Sequence, residues 1–468
     1  MARKKLKDIK GLTIEKVAAE GNCLGHDEEG RIVFVSHAAP GDVMDVRVVK
    51  KRKKFIQAAP EVIHTFSDLR QEPLCEHYGL CGGCKWQHLK YEHQVEFKTQ
   101  VVRETMEHLG KIEIPEIPLA LGSEKTEFYR NKMEFSFTNF RWLTKEEIAS
   151  EENQDRRGLG FHIPGGFDKI IHVNKCWLQP DPSNAIRTAI DTFAKENEIP
   201  YYNVKFQEGH LRNVTIRTAN TTGQIMVILQ VFTDEEKWTL PLVDHLKAEF
   251  PEITSLYYVV NKKGNETIFD QELILHHGTP YIEETMEDLT YRVGPKSFYQ
   301  TNSEQAYQLY SVTRDFAGLT GEEVVYDLYT GTGTIANFVA KKAKQVVGIE
   351  YVEAAIEDAK INSEINKVEN TLFYAGDMKN VLTDEFAAKH PAPDVVITDP
   401  PRAGMDTEVV EMLLKLAPKR IVYVSCNPAT QARDLNLLDA KYKVTKIQPV
   451  DMFPHTHHIE NVVALELK

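Results

Sequence analysis

Nowhere in the 468 residues is there an apolar run of the roughly 20 residues that a membrane-spanning helix needs. The opening MARKKLKDIKG is basic, yet it lacks the apolar central stretch and small-residue cleavage site of a secretory leader. These absences predict a soluble, cytoplasmic protein with no membrane partner. Cysteine is scarce too: six in so long a chain exclude a disulfide scaffold, so each thiol has to be read from its own surroundings. Positive charge is also short. The net charge is −13, which taken alone argues against a nucleic-acid partner.

That average conceals a basic end. Residues 1–60 carry 13 Lys and Arg against 8 Asp and Glu, a net of +5, so the remainder carries −18. The densest part is VVKKRKKF, where Lys50, Lys51, Arg52, Lys53 and Lys54 follow the alternating run VMDVRVV. A solvated strand end and a phosphate-binding tip are both compatible with this pattern.

The length predicts two or three domains, each with its own core. Between residues 12 and 63, short strand-like runs (LTIEKV, RIVFVS, VMDVRVV, FIQAAPEVI) are separated by the turn-rich GNCLGHDEEG and HAAPGD. This predicts an OB-like β-barrel over residues 1–65. Residues 66–295 read as an α+β central domain that opens with a cysteine cluster and the helical stretch YEHQVEFKTQVVRETMEHLG, ending on Gly110. Strands such as YRNKMEFSF and QIMVILQVF then alternate with helices around 184–198 and 235–248. Residues 296–468 read as a Rossmann-like α/β domain: EVVYDLY, QVVGIEY, TLFYAG, DVVITD and RIVYVS have the apolar texture of a parallel sheet covered on both faces. A helix over 302–317, capped by Asn302 or Ser303, leads into it.

Open sheets of this kind bind ligands outside the carboxyl ends of their strands. The first strand ends in DLYTGTGTI, whose glycines let the backbone approach a ligand and whose following helix offers free amides. The dinucleotide fingerprint is not matched, because its third glycine is absent. Glu350 ends the second strand, at a spacing suited to ribose hydroxyls. Asp377 follows the third, in reach of an adenine amino group, and Asp399 opens DPPRAG after the fourth. Any one of these carboxylates also reads as ordinary surface solvation. Their joint order fits S-adenosylmethionine.

Cys426 stands at the exit of the fifth strand, in YVSCNPATQARDL, at the same edge as the cofactor loop. Free cysteine is usually core filling, but a core thiol sits more naturally inside IVYVS than at its end. The helix beginning at PATQ is placed to lower the thiol pKa. Beside a methyl donor, a thiolate adding to carbon 6 of uracil would turn the ring into an enolate whose carbon 5 attacks the sulfonium methyl. A base must then remove the proton from carbon 5. Glu460, in HTHHIENVVAL, is the candidate, with an exposed strand-start carboxylate as the plainer alternative. His455, His457 and His458 match no metal-ligand pattern and read as polar loop residues.

DPPRAG, SCNP and HIENVVAL together resemble the RNA 5-methyluridine methyltransferase family, whose members use S-adenosylmethionine to methylate uracil in tRNA and ribosomal RNA. SFYQTN and YRNK resemble further motifs of that family, and the N-terminal strands resemble the TRAM domain, an RNA-binding barrel. The resemblance implies Cys426 as nucleophile and Glu460 as the proton-abstracting base. It implies Gln300, Tyr329, Glu350, Asp377 and Asp399 at the cofactor, with Asp399 also touching the uracil. Thr330 departs from the pattern, since cysteine is commoner there; no step is assigned to it. Asp377 stands where some members have Asn.

CEHYGLCGGCKWQH supplies Cys75, Cys81 and Cys84, and Cys176 in NKCWLQP is the available fourth thiol. The CGGC spacing suits a redox pair, but no thioredoxin-like pattern surrounds it, and four thiolates would equally suit zinc. With Gln87 and His88 following, the spacing resembles the ribosomal-RNA branch of the family, which implies a 4Fe-4S cluster at these four cysteines. Cys23, in GNCLG, reads as a small residue in a turn. The expectation is a monomer acting on RNA, with 23S ribosomal RNA first and tRNA as the alternative, on a uridine in a loop or flipped from its stack. Three rivals remain: an exocyclic-nitrogen methyltransferase, though Arg402 stands where an aromatic residue would be expected; a DNA cytosine methyltransferase; and a non-catalytic RNA-binding assembly factor.

Overall fold

The computed structural model describes residues 8–150 and 154–468. They form two compact units: residues 8–79, 83–126 and 400–468 in one, and residues 80–82 and 127–399 in the other.

The first unit opens with a six-stranded sheet. Its two long strands, Val43–Lys51 and Phe55–Thr65, pair antiparallel, Ile9–Thr13 joins one side and Ile32–Val35 runs parallel on the other, followed by Cys23–His26 and Lys16–Val17. The period-2 pattern of VMDVRVV puts Met44, Val46 and Val48 inside, against Leu12, Val33, Val35 and Ile56, with Trp86 closing the cluster. Cys23 departs from its expected turn. It begins a strand, only 1% exposed, donates its thiol to the Ala38 carbonyl at 3.0 Å, and burial pushes its pKa up to about 12. The GNCLGH stretch looked turn-like because its glycines outweigh its short apolar signal.

Helix Tyr91–Thr105, extended by the π-turn Met106–Gly110, follows the cysteine loop. Three antiparallel strands come from the far end of the chain, with Glu460–Leu467 between Arg420–Ser425 and Tyr442–Val450. Helix Pro428–Leu438 starts with proline at its first position, where no amide hydrogen is needed, and Asn427 caps it by accepting from the Ala429 amide.

The second unit contains a mixed seven-stranded sheet, in the order Ile274–Gly278, Ile253–Val260, Ile225–Val231, Leu211–Thr218, Lys132–Thr138, Gly158–His162 and Ile170–His172. Helices Ser183–Glu196 and Glu236–Glu249 accompany it. Helix Ser303–Ala317 begins at Asn302, whose side chain accepts from the Gln305 amide, and ends at Gly318 in a left-handed conformation. Four parallel strands follow in the order Thr371–Ala375, Gln345–Glu350, Val324–Leu328, Val395–Thr398. The Val- and Ile-rich runs of the last three are buried almost throughout, as strands covered on both faces must be, whereas the edge strand Thr371–Ala375 is not.

Candidate functional site

Within the second unit, the carboxyl ends of Val324–Leu328, Gln345–Glu350 and Val395–Thr398 gather three carboxylates. Glu350 accepts from the Gly331 amide at 3.2 Å and the Val352 amide at 2.9 Å, tying the second strand end to the glycine loop. Asp327 lies beneath that loop, 1% exposed; Thr330 donates its hydroxyl to one carboxylate oxygen, and the other, Oδ1, has no partner. Burial pushes the Asp327 carboxyl up to about 7, with Asp399 and Glu350 adding repulsion. Burial likewise raises Asp399 to about 7.

The loop itself is strained into shape. Tyr329 has φ 64 although it carries a side chain, and Gly333 has φ 72, where an added Cβ would lie 2.8 Å from the Ala359 Cβ. A buried site with three mutually repelling carboxyls and an orphaned oxygen suits a ligand bearing an ammonium and a sulfonium. It disfavours the doubly anionic pyrophosphate of a dinucleotide, so the residues present fit S-adenosylmethionine.

Gln300 belongs to the same neighbourhood. Its side chain hydrogen-bonds Tyr310, whose own pKa is raised far above normal, chiefly by burial and also by Asp399. Asn131 of YRNK fixes this segment: its amide nitrogen donates to the Gln300 carbonyl at 2.9 Å and to Ser303 Oγ at 2.8 Å, while its backbone amide donates to Thr301. Asn131 and Asp327 are residues that sequence reasoning quoted inside motifs without giving them work, and Thr330, assigned no step, is the hydroxyl that holds Asp327. Asp377 is already occupied in part. It caps the short helix Met378–Val381 by accepting from the Lys379 amide at 3.2 Å.

Within the first unit, Cys426 follows strand Arg420–Ser425 directly and is half-buried. Ser425 pairs with Asn461, so Cys426 and Glu460 lie one step further out, at the same end of two neighbouring antiparallel strands. Glu460 is buried, not the exposed strand-start carboxylate of the plainer alternative. The SCNP turn is clasped from below: Asn427 Nδ2 and Thr430 Oγ1 both donate to the Arg402 carbonyl, at 3.0 and 3.2 Å.

The segment before Glu460 is anchored from helix Tyr91–Thr105. Lys98, fully buried, donates to Asp451 at 2.6 Å and to the Phe453 carbonyl at 3.0 Å, and Tyr91 donates to the other Asp451 oxygen at 2.9 Å. Gln94 accepts from the His455 amide and bonds its ring. Burial lowers His455 to about 4 and His457 to about 3, so both rings are neutral.

Among the described residues, no group of three or more His, Cys, Asp or Glu is arranged to hold a metal ion. Of the four cysteines, Cys75 and Cys84 belong to the first unit and Cys81 and Cys176 to the second. Cys176 exchanges backbone hydrogen bonds with the Asn184 side chain, and the Cys75 amide is taken by Gln87. No described helix is long and apolar enough to cross a membrane.

Comparison with known proteins agrees with a methyltransferase site. The family model described as tRNA (Uracil-5-)-methyltransferase matches residues 221–468, and the TRAM domain model matches residues 8–59. An uncharacterized RNA methyltransferase of Bacteroides thetaiotaomicron is 54% identical over 455 residues, covering 97% of this chain and all of the relative. One from Porphyromonas gingivalis is 53% identical, with 97% and 99% covered. The crystal structure of the Pyrococcus abyssi tRNA (uracil-54, C5)-methyltransferase with S-adenosyl-L-homocysteine superposes with a TM-score of 0.76 at 30% identity, covering 98% of this chain and all of that one. The chain is an S-adenosylmethionine-dependent RNA methyltransferase. It belongs to the RNA uracil-5-methyltransferase family, with a TRAM domain at its N-terminal end.

Proposed function

We propose that the protein methylates carbon 5 of a uridine in 23S ribosomal RNA, through a transient bond between Cys426 and carbon 6 of the base. The observation that carries this reading is the register that sets Cys426 and Glu460 at one end of adjacent strands, a nucleophile and a base in reach of one small ring. The Cys426 thiolate bonds to carbon 6, and the ring electrons move onto the carbonyl oxygen at carbon 4. Bound S-adenosylmethionine supplies the methyl group: carbon 5 takes it as the carbon–sulfur bond of the donor breaks, leaving a neutral thioether. Glu460 then removes the proton from carbon 5, the ring double bond re-forms, and the thiolate leaves.

Gln300, Tyr329, Glu350, Asp377 and Asp399 are assigned to the cofactor, Asp399 also to the uracil. Asp327 joins them on the strength of its orphaned oxygen. We take residues 1–65, 66–295 and 296–468 as RNA-binding, central and catalytic modules. No step passes through the 4Fe-4S cluster assigned to Cys75, Cys81, Cys84 and Cys176, because transfer of a methyl cation moves no electron. A tRNA substrate is the second reading, favoured by the tRNA activity of the P. abyssi neighbour.

The test incubates the protein with labelled S-adenosylmethionine and either unmodified 23S ribosomal RNA or tRNA, then maps the labelled nucleotide. With 5-fluorouridine RNA, a denaturation-stable adduct is expected for the parent and none for Cys426→Ala. Glu460→Gln should slow turnover about 10²–10⁴-fold and accumulate protein-bound, methylated RNA. Label on an exocyclic nitrogen, or undiminished methylation by Cys426→Ala, would overturn the mechanism.

A further inference from the structure

The central sheet of the second unit ends at strand Ile170–His172, and this edge carries an unusual set of exposed rings. Phe140 is 63% exposed and Trp142 40%. A cation stands over each: the Arg156 guanidinium lies 3.7 Å from the Phe140 ring centre, and Lys169 Nζ lies 4.5 Å from that of Trp142. The backbone makes these two pairs neighbours, since the Arg141 amide donates to the Arg156 carbonyl and the Trp142 amide to the Ile170 carbonyl, both at 2.7 Å. Two residues, about 7 Å of extended backbone, separate the rings. Beyond the edge strand the arrangement recurs, with Lys175 3.7 Å over Trp177.

Charge pairing distinguishes these cations from their neighbours. Arg141 is neutralised by Glu147 at 2.8 Å and Arg157 by Asp155 at 2.9 Å. Among the described residues, no carboxylate pairs with Arg156, Lys169 or Lys175. An apolar docking face would not hold back three unneutralised cations, and a plain phosphate patch would not need exposed aromatic rings. Arg156 also donates to the Arg141 carbonyl at 2.9 Å, and rings for base stacking alternating with cations that no described carboxylate pairs are what a single strand of nucleic acid recognises.

We propose that this edge, centred on Phe140, Trp142, Arg156 and Lys169 and continued by Lys175 and Trp177, binds a single-stranded segment of the RNA substrate flanking the target nucleotide. The inference rests on RNA being the substrate. On binding, Lys169 turns from its ring to a phosphate and a base takes the vacated face, while Arg156 stays on the Arg141 carbonyl and presents its remaining nitrogens.

The probe is a fluorescently labelled single-stranded RNA decamer without uridine, so that binding is read apart from methylation. Fluorescence anisotropy should show affinity falling about tenfold for Trp142→Ala and again for Phe140→Ala, with Trp142→Phe restoring most of it. Lys169→Ala should reduce the slope of log affinity against log salt by about 1. S-adenosylhomocysteine binding, unchanged in each variant, shows that the fold is intact. Variants that bind the decamer as tightly as the parent, or a parent that binds the matching duplex as well as the single strand, would overturn the proposal. If the parent methylates no RNA but the variants lose the decamer, the methylation reading fails and this surface stands. If methylation proceeds and the variants bind normally, this surface alone fails.

Discussion

Asp327 is held at a cost. Its carboxyl is buried with one oxygen unpartnered and two other carboxylates acting on it, so its pKa sits near 7 instead of near 4. A carboxyl raised in this way binds its proton more tightly folded than unfolded. The ionised group therefore destabilises the fold, with no penalty below about pH 4, a growing one between 4 and 7, and the full one above 7. Asp327→Asn should raise the melting temperature by a few degrees at pH 8 and leave it unchanged at pH 4. The same substitution should weaken S-adenosylmethionine binding at pH 8. In the parent, affinity should improve as pH rises through 7, because the cationic ligand needs the ionised carboxyl; in Asp327→Asn that slope should shrink. Calorimetric titration across pH 5.5–8.5 measures both.

At this scale the sequence disclosed chemistry by position. Glu350, Asp399 and Cys426 were visible because each closes a strand-like run at a fixed edge. What it hid was partnership. Nothing in DLYTGTG says that Thr330 occupies one Asp327 oxygen and leaves the other bare, nor that Asp377 already caps a helix.

Among the elements, helix Tyr91–Thr105 has a task that its own sequence does not advertise. Lys98 and Asp451, both fully buried, form an ion pair that fixes the start of the segment leading to Glu460. Burial lowers the Lys98 pKa and the Asp451 charge opposes that fall, so removing one partner leaves the other charged and stranded. Asp451→Asn should cost about 3–5 kcal/mol in denaturant unfolding, and Lys98→Met combined with Asp451→Leu much less. If the pair also holds Glu460 in place, the double variant will recover stability without recovering methyl transfer. The parallel strands were legible because continuous Val and Ile runs have few other uses. The shorter elements were not: strand Cys23–His26 was buried in glycine-rich text, and the Lys98–Asp451 contact spans 353 positions, beyond the reach of any local pattern.

For the whole molecule, charge is the property that the average misreports. Lys50, Lys51, Arg52, Lys53 and Lys54 are all exposed at the turn joining Val43–Lys51 to Phe55–Thr65, and among the described residues none pairs with a carboxylate. In a chain that is otherwise strongly acidic, we propose this tip as a phosphate contact of the TRAM sheet. Replacing Lys50, Lys51 and Lys53 by Gln should lower the salt slope of RNA binding by about 3, with weaker binding to every sequence alike, as a filter-binding salt titration would show.

The membership of the first unit has a consequence for how the protein comes into being. Residues 8–79 share a compact body with residues 400–468, and more than 270 residues of a different body are translated in between. The Lys85 and Trp86 amides, for instance, wait for the His455 carbonyl. Since domains tend to settle in the order they leave the ribosome, the interrupted unit must be completed after the inserted one, by strands that are synthesised last. Those strands bring the thiol and the carboxylate. On the proposed mechanism, the nascent chain can hold a finished RNA-binding sheet well before it holds the means of modifying what that sheet has caught.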